Sequence, residues 1–253
     1  VFRSGRLQAT TDYTFVSSCD VVLVAVETPV DRNHNPDYTA LRSALRSLAP
    51  VLKTGALVII ESTILPGTTQ NYVLPLLEQE GAKKLNQDFY LGCCPERVMP
   101  GKLLRNLKEV SRVAGGMTPE TAQTMAAFYR HVVQADIDPT DCLTAELVKT
   151  VENAYRDVQM AFANEIALAC EAVGGDVWKV RDLVNKSPFR QMHLPGAGVG
   201  GHCIPKDSWL LAAAVKNQAR LRLVPAARQI NDGMPLHVAQ LLLARGDEVV
   251  GVD

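Results

Sequence analysis

Three apolar, β-branched runs, Cys19–Glu27, Ala56–Ser62 and Phe89–Cys94, constrain this chain most, because each is followed by turn residues or a segment with helical spacing. A continuous apolar run suits a strand covered on both faces, as in a parallel sheet with helices on either side. Asp37–Leu52, Thr69–Gln79 and Thr118–Arg130 carry apolar residues at helical intervals, and Ser111–Ala114 and Val132–Ala135 read as two shorter strands. This alternation predicts an open parallel sheet. Ligands of such sheets bind beyond the carboxyl ends of the strands. Thr28, Thr63 and Glu96 follow strand ends and are expected to line one crevice.

The middle of the chain changes character. Asp138-Pro139-Thr140-Asp141 breaks the pattern and predicts a boundary near residues 138–143. Thr144 to about Val173 then reads as one long helix ended by Gly174-Gly175. Further helices are expected near Val177–Asn185, from Pro205 to about Asn217, and from Val224 to about Ala244. The fold class predicted is α/β: a partial Rossmann-like sheet over 1–140, then a mostly helical domain over 141–235. Residues 236–253 are left as a possible remnant of a further nucleotide-binding domain. No Gly-x-Gly-x-x-Gly follows a strand, so the usual pyrophosphate grip and its first β-α-β unit are missing from the prediction.

Chemistry concentrates in Gly198-Val199-Gly200-Gly201-His202-Cys203-Ile204-Pro205-Lys206-Asp207. Glycines let backbone approach a ligand closely, and Pro205 suits the first position of a helix. Unpaired N–H groups and the positive dipole end there favour a thiolate at Cys203. Lys206 adds positive charge, and Asp207 either holds a water or partner or supports its helix's first turn. On the long helix, Lys149 and Asn153 are four apart and share a face, with Arg156 close by. That stripe is either solvated or set against an anion or catalytic carboxylate; the apolar residues around the helix, Val151, Tyr155 and Phe162 among them, argue against free exposure. Glu96 is either an ion-paired turn residue or a catalyst, and Thr63 either a turn cap or a site residue.

Composition narrows the partners. The formal net charge is −1, with 47% hydrophobic and 21% charged residues and no basic block, which disfavours nucleic acid. The longest apolar runs are too short to cross a bilayer. Six cysteines at 19, 93, 94, 142, 170 and 203 form neither a disulfide framework nor a Cys-x-x-Cys pair, and no His-x-x-x-His occurs. A reducing, cytoplasmic setting without a metal is expected.

Five motifs occur in order: Thr28-Pro29; Glu61-Ser62-Thr63 with Pro66-Gly67-Thr68; Pro95-Glu96-Arg97-Val98-Met99-Pro100-Gly101; Lys149-x-x-x-Asn153; and Gly200-Gly201-His202-Cys203 with Lys206-Asp207. Together, over about residues 5–235, they resemble the UDP-glucose/GDP-mannose dehydrogenase family, nearest to its UDP-N-acetyl-D-mannosamine branch. The resemblance implies NAD-dependent, four-electron oxidation of a nucleotide-sugar C6 alcohol to a carboxylate, in support of surface polysaccharide synthesis. It implies Cys203 as the nucleophile, forming a thiohemiacetal and then a thioester. Lys149 and Asn153 would steady the substrate oxygen, Asp207 and Thr63 would hold water, and Glu96 would act in thioester hydrolysis. Arg97, Val98, Lys149, Asn153, Arg156 and Gly200 match substrate-binding positions; Thr28, Pro29, Thr63 and Lys206 match cofactor-binding ones. A homodimer through the long helix is implied. Pro100, standing where the UDP-glucose branch has a second Glu, and His202 favour the N-acetylhexosamine branch, while Ser187-Pro188-Phe189-Arg190 leaves UDP-glucose or GDP-mannose open. A non-catalytic dimerisation scaffold and a 3-hydroxyacid-type dehydrogenase are the other readings. The chain alone is expected to turn over poorly.

Overall fold

The computed structural model describes residues 5–98, 101–215 and 219–244. They fall into two compact units that divide inside one helix, between Lys149 and Thr150; the short segment Arg32–Asn35 belongs with the second.

The first unit is a five-stranded sheet in the order β1 (Val21–Val24), β2 (Ala56–Ile60), β3 (Phe89–Cys93), β4 (Arg112–Gly116), β5 (Ile137–Asp141). β1, β2 and β3 are parallel, with Val24 level with Ile60 and Ile60 level with Cys93. All five residues of β2 are buried, which is why its sequence is an unbroken apolar run. Val58 and Ile60 pack towards Leu41, Leu45 and Leu48 of helix α1 (Thr39–Leu48) and Leu77 of α2 (Leu74–Gly81). Leu57 and Ile59 face Met125, Ala126 and Tyr129 of α4 (Pro119–Tyr129) on the other side. Each such side chain stabilises the fold by roughly 1.5–3 kcal/mol relative to exposure.

Three expectations need correction. The sheet is not wholly parallel: β4 runs antiparallel to β3 and parallel to β5. The reversal follows α3 (Leu103–Glu109), a short helix that the sequence reading did not pick out. Val132–Ala135 is not a strand. The last strand is Ile137–Asp141, inside the segment read as a pattern break. Pro139 is tolerated because β5 is the sheet's edge, where a missing N–H removes no ladder bond. The helix expected over Thr69–Gln79 is present, opening with a π-helical turn, Thr69–Val73, that runs into α2.

The long helix α5 spans Cys142–Val173 and stops at Gly174, whose φ of +74° suits a helix terminator. In the second unit it is followed by α6 (Val177–Val184), α7 (Cys203–Ala214) and α8 (Leu223–Ala244). α7 begins two residues earlier than expected, so Cys203 rather than Pro205 is its first residue. The expected helix end at Asn217 and the tail 245–253 lie outside the described residues. Among the described residues no helix is long and apolar enough to cross a membrane.

Candidate functional site

The first unit gathers one set of residues at the carboxyl ends of β1–β3. Thr28 is buried, and its hydroxyl donates to the Thr63 carbonyl at 2.5 Å, linking the loops after β1 and β2. The Ser62 hydroxyl clasps the Val26 backbone, donating to its carbonyl at 2.6 Å and accepting from its N–H at 2.8 Å. Pro29 lies beside them, its carbonyl accepting from Asp37 N–H at 2.8 Å. After β3, the Glu96 N–H donates to the Glu61 carbonyl at 3.2 Å. The expected crevice-lining trio of Thr28, Thr63 and Glu96 thus follows three neighbouring parallel strands.

Glu96 makes an ion pair in the turn after β3, an arrangement open to a turn residue and to a catalyst alike. Its Oε2 accepts from Arg112 Nη2 at 2.5 Å, and its Oε1 from the N–H groups of Arg97 and Val98 at 2.7 and 3.0 Å. The Arg97 guanidinium donates to the Ser111 carbonyl and hydroxyl at 2.8 and 3.0 Å. Arg112 also faces Glu61 Oε1 at 3.4 Å, and its guanidinium lies over the Tyr129 ring, 4.9 Å from the centroid. Tyr129 donates its hydroxyl to Glu61 at 2.6 Å. Burial pushes the Tyr129 hydroxyl and the Cys94 thiol up. Burial works against the charge of Arg112 as well, but the Glu96 carboxylate and then Cys94 hold it above its ordinary value. Arg112, Glu61 and Tyr129 escaped the sequence reading as site residues. The one available signal was a charged residue opening a short apolar strand.

Lys149 and Asn153 stand one turn apart on α5, Lys149 half-buried and Asn153 buried. Arg156 is exposed.

In the second unit, Cys203 is exposed at the start of α7, and its N-cap His202 makes no side-chain capping bond. Gly201 precedes them at φ +81°, and Gly198 sits at φ +90° with its Cα so close to α8 that an added Cβ would meet the Asn231 carbonyl at 2.7 Å. Only glycine fits there. Gly200 has open space around it. One turn into α7, Asp207 is fully buried. Its Oδ2 accepts from Asn153 Nδ2 at 2.6 Å, and its Oδ1 faces the Lys206 ammonium at 2.7 Å. The latter is an ion pair by distance without hydrogen-bond geometry, so both atoms keep unfilled bonding capacity. The positive charge that Lys206 adds is thus offset by Asp207. Next along, Ser208 donates to Asp157 Oδ2 at 2.9 Å, while Asp157 Oδ1 accepts from Arg228 and Asn231, each at 2.7 Å.

The strand-end loops fit one flank of a dinucleotide, since Thr28 and the backbone after β2 offer neutral polar groups where ligands of parallel sheets bind. The glycine-rich pyrophosphate turn is not in the sequence.

Comparison with known proteins agrees with this geometry. Residues 1–133 match the NAD binding domain of the UDP-glucose/GDP-mannose dehydrogenase family, and residues 143–233 match its central domain. The UDP-N-acetyl-D-mannosamine dehydrogenase of Pyrococcus horikoshii is 41% identical over 242 residues, covering 96% of this chain and 57% of that protein. The NDP-N-acetyl-D-galactosaminuronic acid dehydrogenase of Ralstonia solanacearum is 40% identical over 240 residues, 92% of this chain and 56% of its own length. The solved structure of the Pyrococcus horikoshii UDP-D-ManNAc dehydrogenase superposes with a TM-score of 0.90 at 40% identity, covering 96% of this chain and 57% of that one. This chain thus spans little more than half the length of the relatives it matches, and it belongs to the UDP-glucose/GDP-mannose dehydrogenase family.

Proposed function

We propose that this chain serves the NAD-dependent oxidation of the C6 alcohol of a UDP-N-acetylhexosamine, of the UDP-N-acetyl-D-mannosamine kind, to the uronic acid. The observation that carries the reading is Cys203, an exposed thiol at the first position of α7, one turn from the buried Asp207 that Asn153 bonds. Its similarity to a UDP-N-acetyl-D-mannosamine dehydrogenase and an NDP-N-acetyl-D-galactosaminuronic acid dehydrogenase favours an N-acetylhexosamine substrate. NAD, when bound, supplies the hydride acceptor for each of two oxidations.

In this reading the Cys203 sulfur adds to the C6 aldehyde, giving a thiohemiacetal whose oxidation leaves a thioester. The Lys149 ammonium and Asn153 amide steady the negative charge that develops on the C6 oxygen. Asp207 and Thr63 hold the hydrolytic water, and Glu96 takes its proton. Arg97, Val98, Arg156 and Gly200 contact the nucleotide sugar, and Thr28, Pro29, Thr63 and Lys206 contact the cofactor. Domain limits at 1–140 and 141–235 and a cytoplasmic site of action belong to the same proposal.

The chain pairs with a second copy through α5. Val151, Tyr155 and Phe162 remain exposed at helical spacing on that helix, which is where free exposure was not expected. Large apolar side chains in a row on a helix mark an interaction face.

The test follows NADH absorbance with UDP-N-acetyl-D-mannosamine, UDP-glucose and GDP-mannose offered separately. The proposal expects two NADH per sugar from the first, and loss of the second oxidation in Cys203→Ser. Full turnover by Cys203→Ser, or a Cys203 no more reactive towards iodoacetamide than buried Cys170, would exclude it in favour of a different dehydrogenase or a scaffold.

A further inference from the structure

The reversal of β4 brings an arginine to a place the sequence did not assign it. β3 and β4 pair antiparallel with Gly92 opposite Gly116 and Cys93 opposite Gly115. Continued past the end of β3, that register sets residue 96 opposite residue 112. In a wholly parallel sheet the first residue of β4 would lie at the other end of β3, away from the strand-end loops.

We propose that Arg112 is the positioning residue for Glu96, holding its carboxylate in one orientation for hydrolysis of the Cys203 acyl intermediate. The inference rests on the role proposed above for Glu96. A carboxylate has about four lone-pair sites. Three donors occupy Glu96: Arg112 on Oε2, and the N–H groups of Arg97 and Val98 on Oε1. One site on Oε2 remains for a water. Arg112 is itself fixed, with its side chain only 5% exposed, the Tyr129 ring beneath it and Glu61 on its other nitrogen. Tyr129 supplies Glu61 with its shorter bond, 2.6 Å against 3.4 Å from Arg112. The tight partner of Arg112 is thus Glu96, not Glu61.

In the step so positioned, the water oxygen bonds to the acyl carbon and its proton passes to the open site on Glu96. The C–S bond breaks and its electron pair returns to the Cys203 sulfur. The product leaves as the carboxylate, its remaining proton going to solvent.

The test uses the native protein with UDP-N-acetyl-D-mannosamine and NAD, acid-quenched, with intact mass reporting the adduct on Cys203. Glu96→Gln comes first. If turnover continues and no adduct builds up in it, the role proposed for Glu96 fails, and that is separate from the fate of Arg112. With the adduct seen, Arg112→Met is expected to slow its decay about tenfold to a hundredfold, short of the 10²–10⁴ for losing a general base outright. The KM for the nucleotide sugar should stay unchanged. A purely structural arginine would lower the melting temperature and leave adduct decay in the folded protein at the wild-type rate. Arg112→Lys keeps the charge without the fork and should fall between wild type and Arg112→Met. It also decides the matter if Arg112→Met does not fold: slower adduct decay than wild type supports positioning. Wild-type decay in either variant overturns it.

Discussion

Asn153 donates its side-chain amide to the buried Asp207 carboxylate at 2.6 Å, joining α5 to the helix that begins with Cys203. One turn further along α5, Asp157 accepts the hydroxyl of Ser208, the residue after Asp207. Two consecutive residues of α7 are thereby held by two residues four apart on α5, which fixes how far α7 is rotated about its axis. Asn153→Ala deprives a buried charge of its donor and should lower stability by about 1.5–3 kcal/mol, read as a reduced urea midpoint. Asn153→Asp should do worse, because it replaces a donor to Asp207 with a second carboxylate.

Among the described residues of the second unit, Asp157 and Arg228 form the best-buried ion pair, with side chains 0% and 2% exposed. Breaking such a pair costs roughly 3–5 kcal/mol, because the remaining charge is stranded. The two partners are not equivalent. Without Arg228, Asp157 keeps Asn231 and Ser208 as donors; without the Asp157 carboxylate, Arg228 keeps, among the described residues, only the exposed Asp232, Ser208 loses its acceptor, and Asn231 is left with the backbone carbonyl of residue 157. Asp157→Ala should therefore lower the thermal midpoint further than Arg228→Met. Equal losses would show that the carboxylate's other donors contribute nothing.

The sequence made β1–β3 and α5 readable because burial on both faces writes itself as an unbroken apolar run, and a 32-residue helix repeats its pattern many times. Thr28, Thr63 and Glu96 followed from strand ends alone. β5 was not readable, since Pro139 is a stop signal in a central strand and harmless at an edge, and edge position is a property of the sheet. Arg112 was not readable for a related reason. Its meeting with Glu96 depends on β4 running antiparallel, and strand direction leaves no mark on a run of five residues. Asp157 and Arg228, 71 residues apart, become partners only once α5 and α8 pack.

Asp141 caps α5: its Oδ1 accepts the Thr144 N–H at 2.8 Å and its Oδ2 the Thr144 hydroxyl at 2.7 Å. Those two bonds, the hydroxyl first, hold its carboxyl below the ordinary value of 3.8. A depressed acid stabilises the fold above its unfolded pKa, and that contribution fades as pH falls through the lower, folded value. Asp141→Ala should cost about 1 kcal/mol at neutral pH, the usual effect of losing a cap. The gap from wild type should close below about pH 4. Urea titrations of both proteins at several pH values give the comparison, and a gap that persists in strong acid would mean the loss lies elsewhere than in the cap.

Gly198 and Gly200 stand two residues apart in the loop before Cys203, yet the structure separates what they do. At Gly198 a Cβ would press on the Asn231 carbonyl and on Pro235 of α8, with φ at +90° where side chains are strained. Gly198→Ala should therefore destabilise by about 1–3 kcal/mol and lower the melting temperature. At Gly200 nothing lies within 4 Å of the added carbon and φ is not positive. Gly200→Ala should leave the melting temperature within the range of an ordinary surface change, about 0.5 kcal/mol. If Gly200 is a substrate-contact position, the methyl should instead raise the KM for the nucleotide sugar, because the crowding appears only when the ligand is bound. Turnover and melting measured on both variants distinguish the two roles: a Gly200→Ala protein normal in KM removes Gly200 from the proposed substrate contacts.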